Sequence, residues 1–169
     1  MEASAPVPEQ PLKHSWKTIL NLTVIVGALG YFVDIFDLIL FPIVRTASLT
    51  DLGVPPDQIL PTFVYLFNFQ MIGMLVGGVL WGVLGDKKGR MSVLFGSITL
   101  YSLANIANAF VTTIPAYAAM RFLAGLGLSG ELGAAITLVS EVLPKEVRSY
   151  GTAVVASLGI TGALVADLV

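Results

Sequence analysis

Along this chain, long apolar runs alternate with short polar breaks, and the runs predict five helices over about residues 16–44, 61–84, 91–111, 116–143 and 149–169. Each reaches or exceeds the ~20 residues that a helix needs to cross the hydrocarbon of a bilayer, and the first is long enough to tilt or protrude. The breaks carry turn chemistry. Residues 45–60 form a predicted loop marked by Gly53 and the Pro55-Pro56 pair. Thr112 to Pro115 and Pro144 to Arg148 make two short turns. Residues 1–15, with Pro6, Pro8 and Pro11, read as a disordered cytoplasmic tail. A cleaved signal peptide fits poorly, because the apolar run after Lys17 is too long and no small-residue cleavage site leads into a soluble domain.

The densest break is Gly82-Val83-Leu84-Gly85-Asp86-Lys87-Lys88-Gly89-Arg90. Polar residues packed this closely between two apolar runs predict a tight hairpin, with Gly85 and Gly89 supplying backbone angles that other residues resist. A solvated turn in a soluble helical protein would not be flanked by runs so apolar.

Composition sharpens the class. Of 169 residues, 56% are hydrophobic and 12% charged. Soluble domains carry about 25% charged residues, so this is the composition of an integral membrane protein. No Cys is present, which excludes a disulfide framework and a thiolate metal site. The one His, His14, lies in the polar tail, which argues against a His metal centre or a Ser–His pair. No enzyme activity, cofactor, metal or nucleic-acid partner is expected.

The bases set the topology. With the N-terminus inside, the inner segments hold Lys13, Lys17, Lys87, Lys88, Arg90, Lys145 and Arg148, and the outer loops hold only Arg45. This positive-inside bias predicts a multi-pass protein of the inner (plasma) membrane with a cytoplasmic N-terminus.

Four ionisable residues fall within spans: Asp34, Asp37, Arg121 and Glu131. Each costs roughly 2.5–3.5 kcal/mol at mid-membrane, so each needs a partner or a wet cavity. Asp37 lies seven residues from Val44 and Arg121 five from Ala116. These depths are about 10 and 8 Å, so the two can meet if their helices touch. An Asp–Arg pair there is either a static bridge or a device in which protonating Asp37 releases Arg121, and depth alone leaves both open. Glu131 lies ~15 Å inward of Arg121, near the depth of a central cavity. It could bind a cationic group of a substrate, carry a proton, or be a packing carboxyl. Asn68 and Gln70 are further cavity candidates, about 200° apart on the wheel, so at most one faces a given cavity. Asn105 and Asn108 share a face and are expected to hydrogen-bond between helices. Gly73-xxx-Gly77 and Gly78-xxx-Gly82 let helices approach closely. Gly125-x-Gly127-x-x-Gly130 spells a dinucleotide fingerprint, but inside an apolar span it reads as helix packing.

The hairpin also resembles the signature between helices two and three of the major facilitator superfamily, carried by Gly82, Leu84, Gly85, Asp86, Lys87, Gly89, Arg90 and Leu94. Span four resembles the metabolite:proton symporters through Arg121, Gly125, Gly127, Gly130-Glu131, Gly133-Ala134, Glu141, Pro144 and Arg148, although Ser129 and Ala134 replace two glycines of their pattern. Phe36-Asp37 and Arg121 match the Asp–Arg pair of proton-coupled members. Asp34 matches an acid found in metabolite and aromatic-acid symporters and usually lacking in the sugar porters. The resemblance implies an all-α membrane protein: five transmembrane helices of an incomplete six-helix N-terminal half of a major facilitator fold. It implies proton coupling at Asp37, Arg121 and Asp34, a substrate cavity near Glu131, and a gate on the cytoplasmic side formed by Gly82, Asp86, Gly89, Arg90, Glu141 and Arg148. The chain ends at Val169, where a sixth helix and a second half are expected, so it is either a fragment or one part of a split transporter completed by a companion chain. Gly159-Ile160-Thr161-Gly162 lacks the Pro of the antiporter motif, which disfavours drug antiport. The expected function is symport of protons with an organic acid, zwitterion or sugar. The alternatives are an uncoupled facilitator of the same fold and a membrane scaffold without cargo.

Overall fold

The structure is a computed structural model that describes residues 22–145 and 147–168. The predicted N-terminal tail and the start of the first predicted span lie outside the described residues. The described residues form five helices: α1 Leu22–Asp51, α2 Ile59–Lys88, α3 Arg90–Asn108, α4 Ile114–Val142 and α5 Arg148–Asp167. A 3-10 turn, Pro56–Gln58, leads into α2. Three stretches, Val24–Asp51, Pro56–Lys88 and Arg148–Asp167, are long and apolar enough to cross a membrane. α4 carries Arg121, Glu131 and Glu141 along its length.

Two connections differ from the sequence expectation. The first helix does not stop near Val44 but continues to Asp51, so much of the predicted 45–60 loop is helical. Its end is set by Gly53, not by the polar residues from Arg45 onward. Gly53 adopts φ 76°, its N–H donates to the Thr50 carbonyl at 2.9 Å, and Val54 N–H donates to the Leu49 carbonyl at 3.0 Å. These are the two bonds of a Schellman cap, and Val54 packs against the apolar cluster that holds Leu49. The second connection is tighter than predicted. α2 runs through Gly85 to Lys88, so the reversal is made by Gly89 alone, at φ 84°. Gly85 serves instead as a small residue: a Cβ there would stand 3.0 Å from Arg90 Nη1.

α4 is the helix around which the others gather. It packs most extensively on α2 and α3 and also against α1, while α5 packs on α1. The glycines explain how. A Cβ at Gly73 would strike the Phe122 backbone, one at Gly125 the Gln70 backbone, and one at Gly127 would stand 2.7 Å from Tyr101 N. The apparent nucleotide fingerprint is therefore the seam along which α4 meets α2 and α3. On the α1–α5 side, Gly159 and Gly162 admit Tyr31 and the Phe32 backbone.

The packing is inverted relative to a water-soluble protein. Leu75, Val79, Phe95 and Leu164 are 64–73% exposed, whereas Asp34, Gln70, Ser97, Arg121 and Glu131 are buried. An apolar exterior around a charged interior suits lipid as solvent, and the chain is an integral membrane protein. One end of the bundle gathers the α1–α2 connection and the start of α4, and is called the Gly53 end. The opposite Gly89 end gathers the α2–α3 and α4–α5 connections.

Candidate functional site

α1 and α4 bring Asp37 and Arg121 together. Asp37 Oδ2 lies 3.6 Å from Arg121 Nη1, with both side chains largely buried. Arg121 is held from one side by aromatic rings. Its guanidinium carbon sits 4.1 Å from the Phe41 ring centroid and 5.6 Å from that of Tyr117. Phe41 packs edge-on to Tyr117 and against Phe63, and the Tyr117 hydroxyl is 3.0 Å from Ser48 Oγ. Aromatic faces attract a desolvated cation by about 2 kcal/mol, which offsets part of the cost of burying it. From α3, the phenol of Tyr101 reaches Asp37, and Asn105, one turn further along the same helix, reaches that phenol.

One turn before Asp37, Asp34 is wholly buried, and neither of its oxygens has a hydrogen-bond partner among the described residues. It lies within Coulomb range of Glu131 and Asp37. Glu131 packs against Gly30, where a Cβ would stand 2.5 Å from its Oε1. Three carboxylates thus share the α1–α4 seam with one buried base, Arg121. The Asp37–Arg121 pair balances its own charge, while Asp34 and Glu131 have no buried cation of their own among the described residues.

The remaining sequence candidates divide. Gln70 is wholly buried, with neither side-chain heteroatom hydrogen-bonded among the described residues. Asn68 is exposed on α2 and does not join it. Among the described residues, Asn105 and Asn108 do not form the expected bond between helices: Asn105 meets Tyr101 within α3, and Asn108 Oδ1 is buried with no partner there. Asn108 instead lines a cavity of about 530 Å³ at the Gly53 end, together with Ser48, Thr112, Tyr117 and Arg121. Arg45 lies within α1, with its guanidinium 5.3 Å from the Phe63 centroid.

At the Gly89 end, Arg90 stands 3.6 Å from Asp86 and 3.7 Å from Glu141, linking α2, α3 and α4. Gly89 makes the turn that sets Arg90 at the start of α3. Gly82 faces open space, and Arg148 makes no ion pair among the described residues. No cluster of three His, Cys, Asp or Glu side chains among the described residues could hold a metal ion.

Sequence reasoning missed Phe41, Tyr117 and Tyr101. The first two had a signal: an aromatic stands four residues from Asp37 and four from Arg121, each one helical turn toward the same end. Tyr101 had none, because its role depends on which helix faces α1.

Comparison with known proteins bears on this arrangement. The model of the Major Facilitator Superfamily matches residues 23–168. The chain is 36% identical over 144 residues to a niacin transporter of Acinetobacter baylyi, covering 85% of this chain and 32% of that protein. It is 31% identical over 150 residues to a 4-hydroxybenzoate transporter of Pseudomonas aeruginosa, covering 88% and 32%. It is 31% identical over 138 residues to a sialic acid transporter of Escherichia coli, covering 82% and 33%. The chain spans about a third of the length of these relatives. These relatives are transporters, not enzymes. No solved structure gives a significant match.

Proposed function

The chain belongs to the Major Facilitator Superfamily, and from that premise we propose that it is the N-terminal part of a proton-coupled symporter for small organic acids, with five membrane-crossing helices and a cytoplasmic N-terminus. The observation that carries this reading is the buried Asp37–Arg121 pair, 3.6 Å apart where α1 meets α4. A proton arriving at Asp37 neutralises it and removes the attraction that holds Arg121. The pair then separates, and α1 and α4 can shift relative to one another. Asp34 and Glu131, buried without cations of their own among the described residues, extend the acidic seam inward and are the next groups a proton or cargo meets. Gln70, buried on α2 opposite Gly125, offers both a donor and an acceptor. The Asp86–Arg90–Glu141 cluster latches the cytoplasmic side and opens as the two halves of the transporter rock. The positive-inside distribution of Lys and Arg supports this orientation. The cargo class is taken from the relatives, since niacin and 4-hydroxybenzoate are both ring-bearing carboxylic acids. The rest of the transporter supplies the opposite wall of the cavity.

The test is uptake into sealed vesicles containing the full-length protein, with an imposed proton gradient and labelled nicotinate or 4-hydroxybenzoate. Asp37→Asn is expected to abolish gradient-driven accumulation while keeping exchange across the membrane. Undiminished accumulation in Asp37→Asn would refute proton coupling through this residue.

A further inference from the structure

We propose that Trp81 is a positioning residue that ties the latch at the Gly89 end to the section of α4 carrying Glu131, so that events at Glu131 and release of the latch act on one another through the indole. The inference rests on the transport reading above. Trp81 lies on α2, and its indole N–H donates to the Leu126 carbonyl of α4 at 2.6 Å. Ser129 Oγ donates to the same carbonyl at 3.0 Å. Two side chains thus converge on one carbonyl in the middle of a helix. Bonds of this kind compete with the helix's own ladder and favour a bend. The same section holds Gly125, Gly127, Gly130 and Gly133, and glycine is the poorest helix former after proline. This is the softest section of α4, and Trp81 holds it from outside.

The indole is gripped between two helices. A Cβ at Gly96 of α3 would stand 3.3 Å from its Cη2 and Cζ3, and one at Gly130 of α4 would stand 2.5 Å from its Cδ1. Gly77, one turn before Trp81, lets α2 come this close, since a Cβ there would stand 2.5 Å from the Leu126 oxygen. Glu131 directly follows Gly130 and packs against Gly30 of α1. At two consecutive residues, α4 is therefore fixed between the Trp81 ring and α1.

Beyond Gly130 the seam with α2 opens. A Cβ at Gly78, Gly82 or Gly133 would meet nothing within 4 Å among the described residues. A cavity of about 190 Å³ lies there, with Trp81, Arg90, Gly133 and Thr137 in its walls. Arg90 also stands 3.6 Å from Asp86 and 3.7 Å from Glu141. Those side chains are 35–75% exposed, so the ion pairs are weak and readily exchanged for water. Toward α2, this part of α4 has one firm hold, Trp81, and one weak hold, Arg90. With Leu126 pinned, a push at Glu131 turns the helix about that point instead of sliding it. Glu141 lies fifteen residues from Leu126 and Glu131 five, so movement at Glu131 is amplified about threefold at the latch. A tilt of about 5° moves Glu141, about 22 Å from the pin, by about 2 Å. That is enough to part its contact with Arg90.

The experiment uses the full-length transporter in inside-out vesicles, in a background otherwise free of Cys. Gly133→Cys, in the open cavity wall, is labelled with a membrane-impermeant maleimide, with and without nicotinate. Nicotinate is expected to change the labelling rate when Trp81 is intact. Trp81→Phe keeps a ring but loses the N–H, and is expected to shrink that change by roughly threefold or more, as loss of one hydrogen bond at the pin requires. It is also expected to lower kcat for nicotinate transport while KM stays near its original value, because Trp81 acts on the movement and not on the cargo. Thr137→Cys is the second reporter. Gly130→Ala, whose Cβ would stand 2.5 Å from the indole, displaces the same ring should Trp81→Phe fail to assemble. If nicotinate is accumulated and changes labelling equally with and without the Trp81 N–H, Trp81 is a packing residue, and the inference falls while the symport reading stands. If nicotinate is accumulated with no change at either reporter, the lever is wrong and the symport reading again stands. If no carboxylate is accumulated and none changes labelling, the symport reading and the inference fall together.

Discussion

Placing one methyl group at Gly127 tests whether α4 is the helix that fixes the site. A Cβ there would stand 2.7 Å from the Tyr101 nitrogen, 2.8 Å from its Cβ and 2.9 Å from the Ser97 carbonyl oxygen. Ordinary contacts lie near ~3.5–4.0 Å, so α3 would have to retreat by about 0.7–1 Å. Overpacking of this kind costs typically ~1–3 kcal/mol. The atoms in the way at Tyr101 are its backbone nitrogen and Cβ, so shortening that side chain gives no relief. Gly130 provides the contrast. Its Cβ would meet Trp81 Cδ1 at 2.5 Å and Cγ at 2.6 Å, with Ser97 Cβ at 2.7 Å. Two of those three atoms belong to a removable indole, one that donates to the Leu126 carbonyl at 2.6 Å. The assay is thermal unfolding of the detergent-purified protein, arranged as two double-mutant cycles. Gly127→Ala should lower the unfolding temperature and show no rescue by Tyr101→Phe. Gly130→Ala should be partly rescued by Trp81→Leu, with a coupling of about 1 kcal/mol or more. Full stability of Gly127→Ala, or its rescue by Tyr101→Phe, would show that α3 and α4 do not meet along this seam.

Three further outcomes are expected. Phe41→Leu removes the ring 4.1 Å from the Arg121 guanidinium. It should cost ~1–2 kcal/mol in thermal stability, and the loss should shrink in an Arg121→Leu background if the cation is its cause. Glu141→Gln breaks the 3.7 Å contact with Arg90, but the side chains involved are 55% and 35% exposed. The stability change should stay within about 1 kcal/mol while the transport rate changes, and a large loss of stability without a rate effect would make the cluster purely structural. Gly89→Ala forces an L side chain to φ 84° and should destabilise by ~1–2 kcal/mol, read by the same thermal assay.

Much of the site was legible because depth in a membrane can be counted along a helix. Asp37 and Arg121 were placed level from residue counts, and they meet in the structure. Glu131 was placed two to three turns inward of Arg121, and it packs against Gly30, inward of Asp34 on the neighbouring helix. What counting cannot supply is azimuth across helices. Tyr101 became a neighbour of Asp37 only once α3 was seen to pack through Gly127, and Asn108 turned toward a cavity, not toward a partner helix. The end of α1 was misplaced for a different reason. Hydropathy falls after Val44, but a helix stops where its carbonyls find a cap, and here that is Gly53. At the hairpin, Gly85 and Gly89 looked alike as turn residues. Their roles separate because only Gly89 has a positive φ, while Gly85 makes room for Arg90.

The most direct test of the central claim is the proton movement that accompanies cargo entry. Vesicles holding the full-length protein in weak buffer, with no imposed gradient, are given nicotinate while external pH is followed against protein-free vesicles. The account predicts external alkalinisation that tracks nicotinate uptake and disappears in Asp37→Asn. Nicotinate entry through the protein with no accompanying proton movement would contradict it.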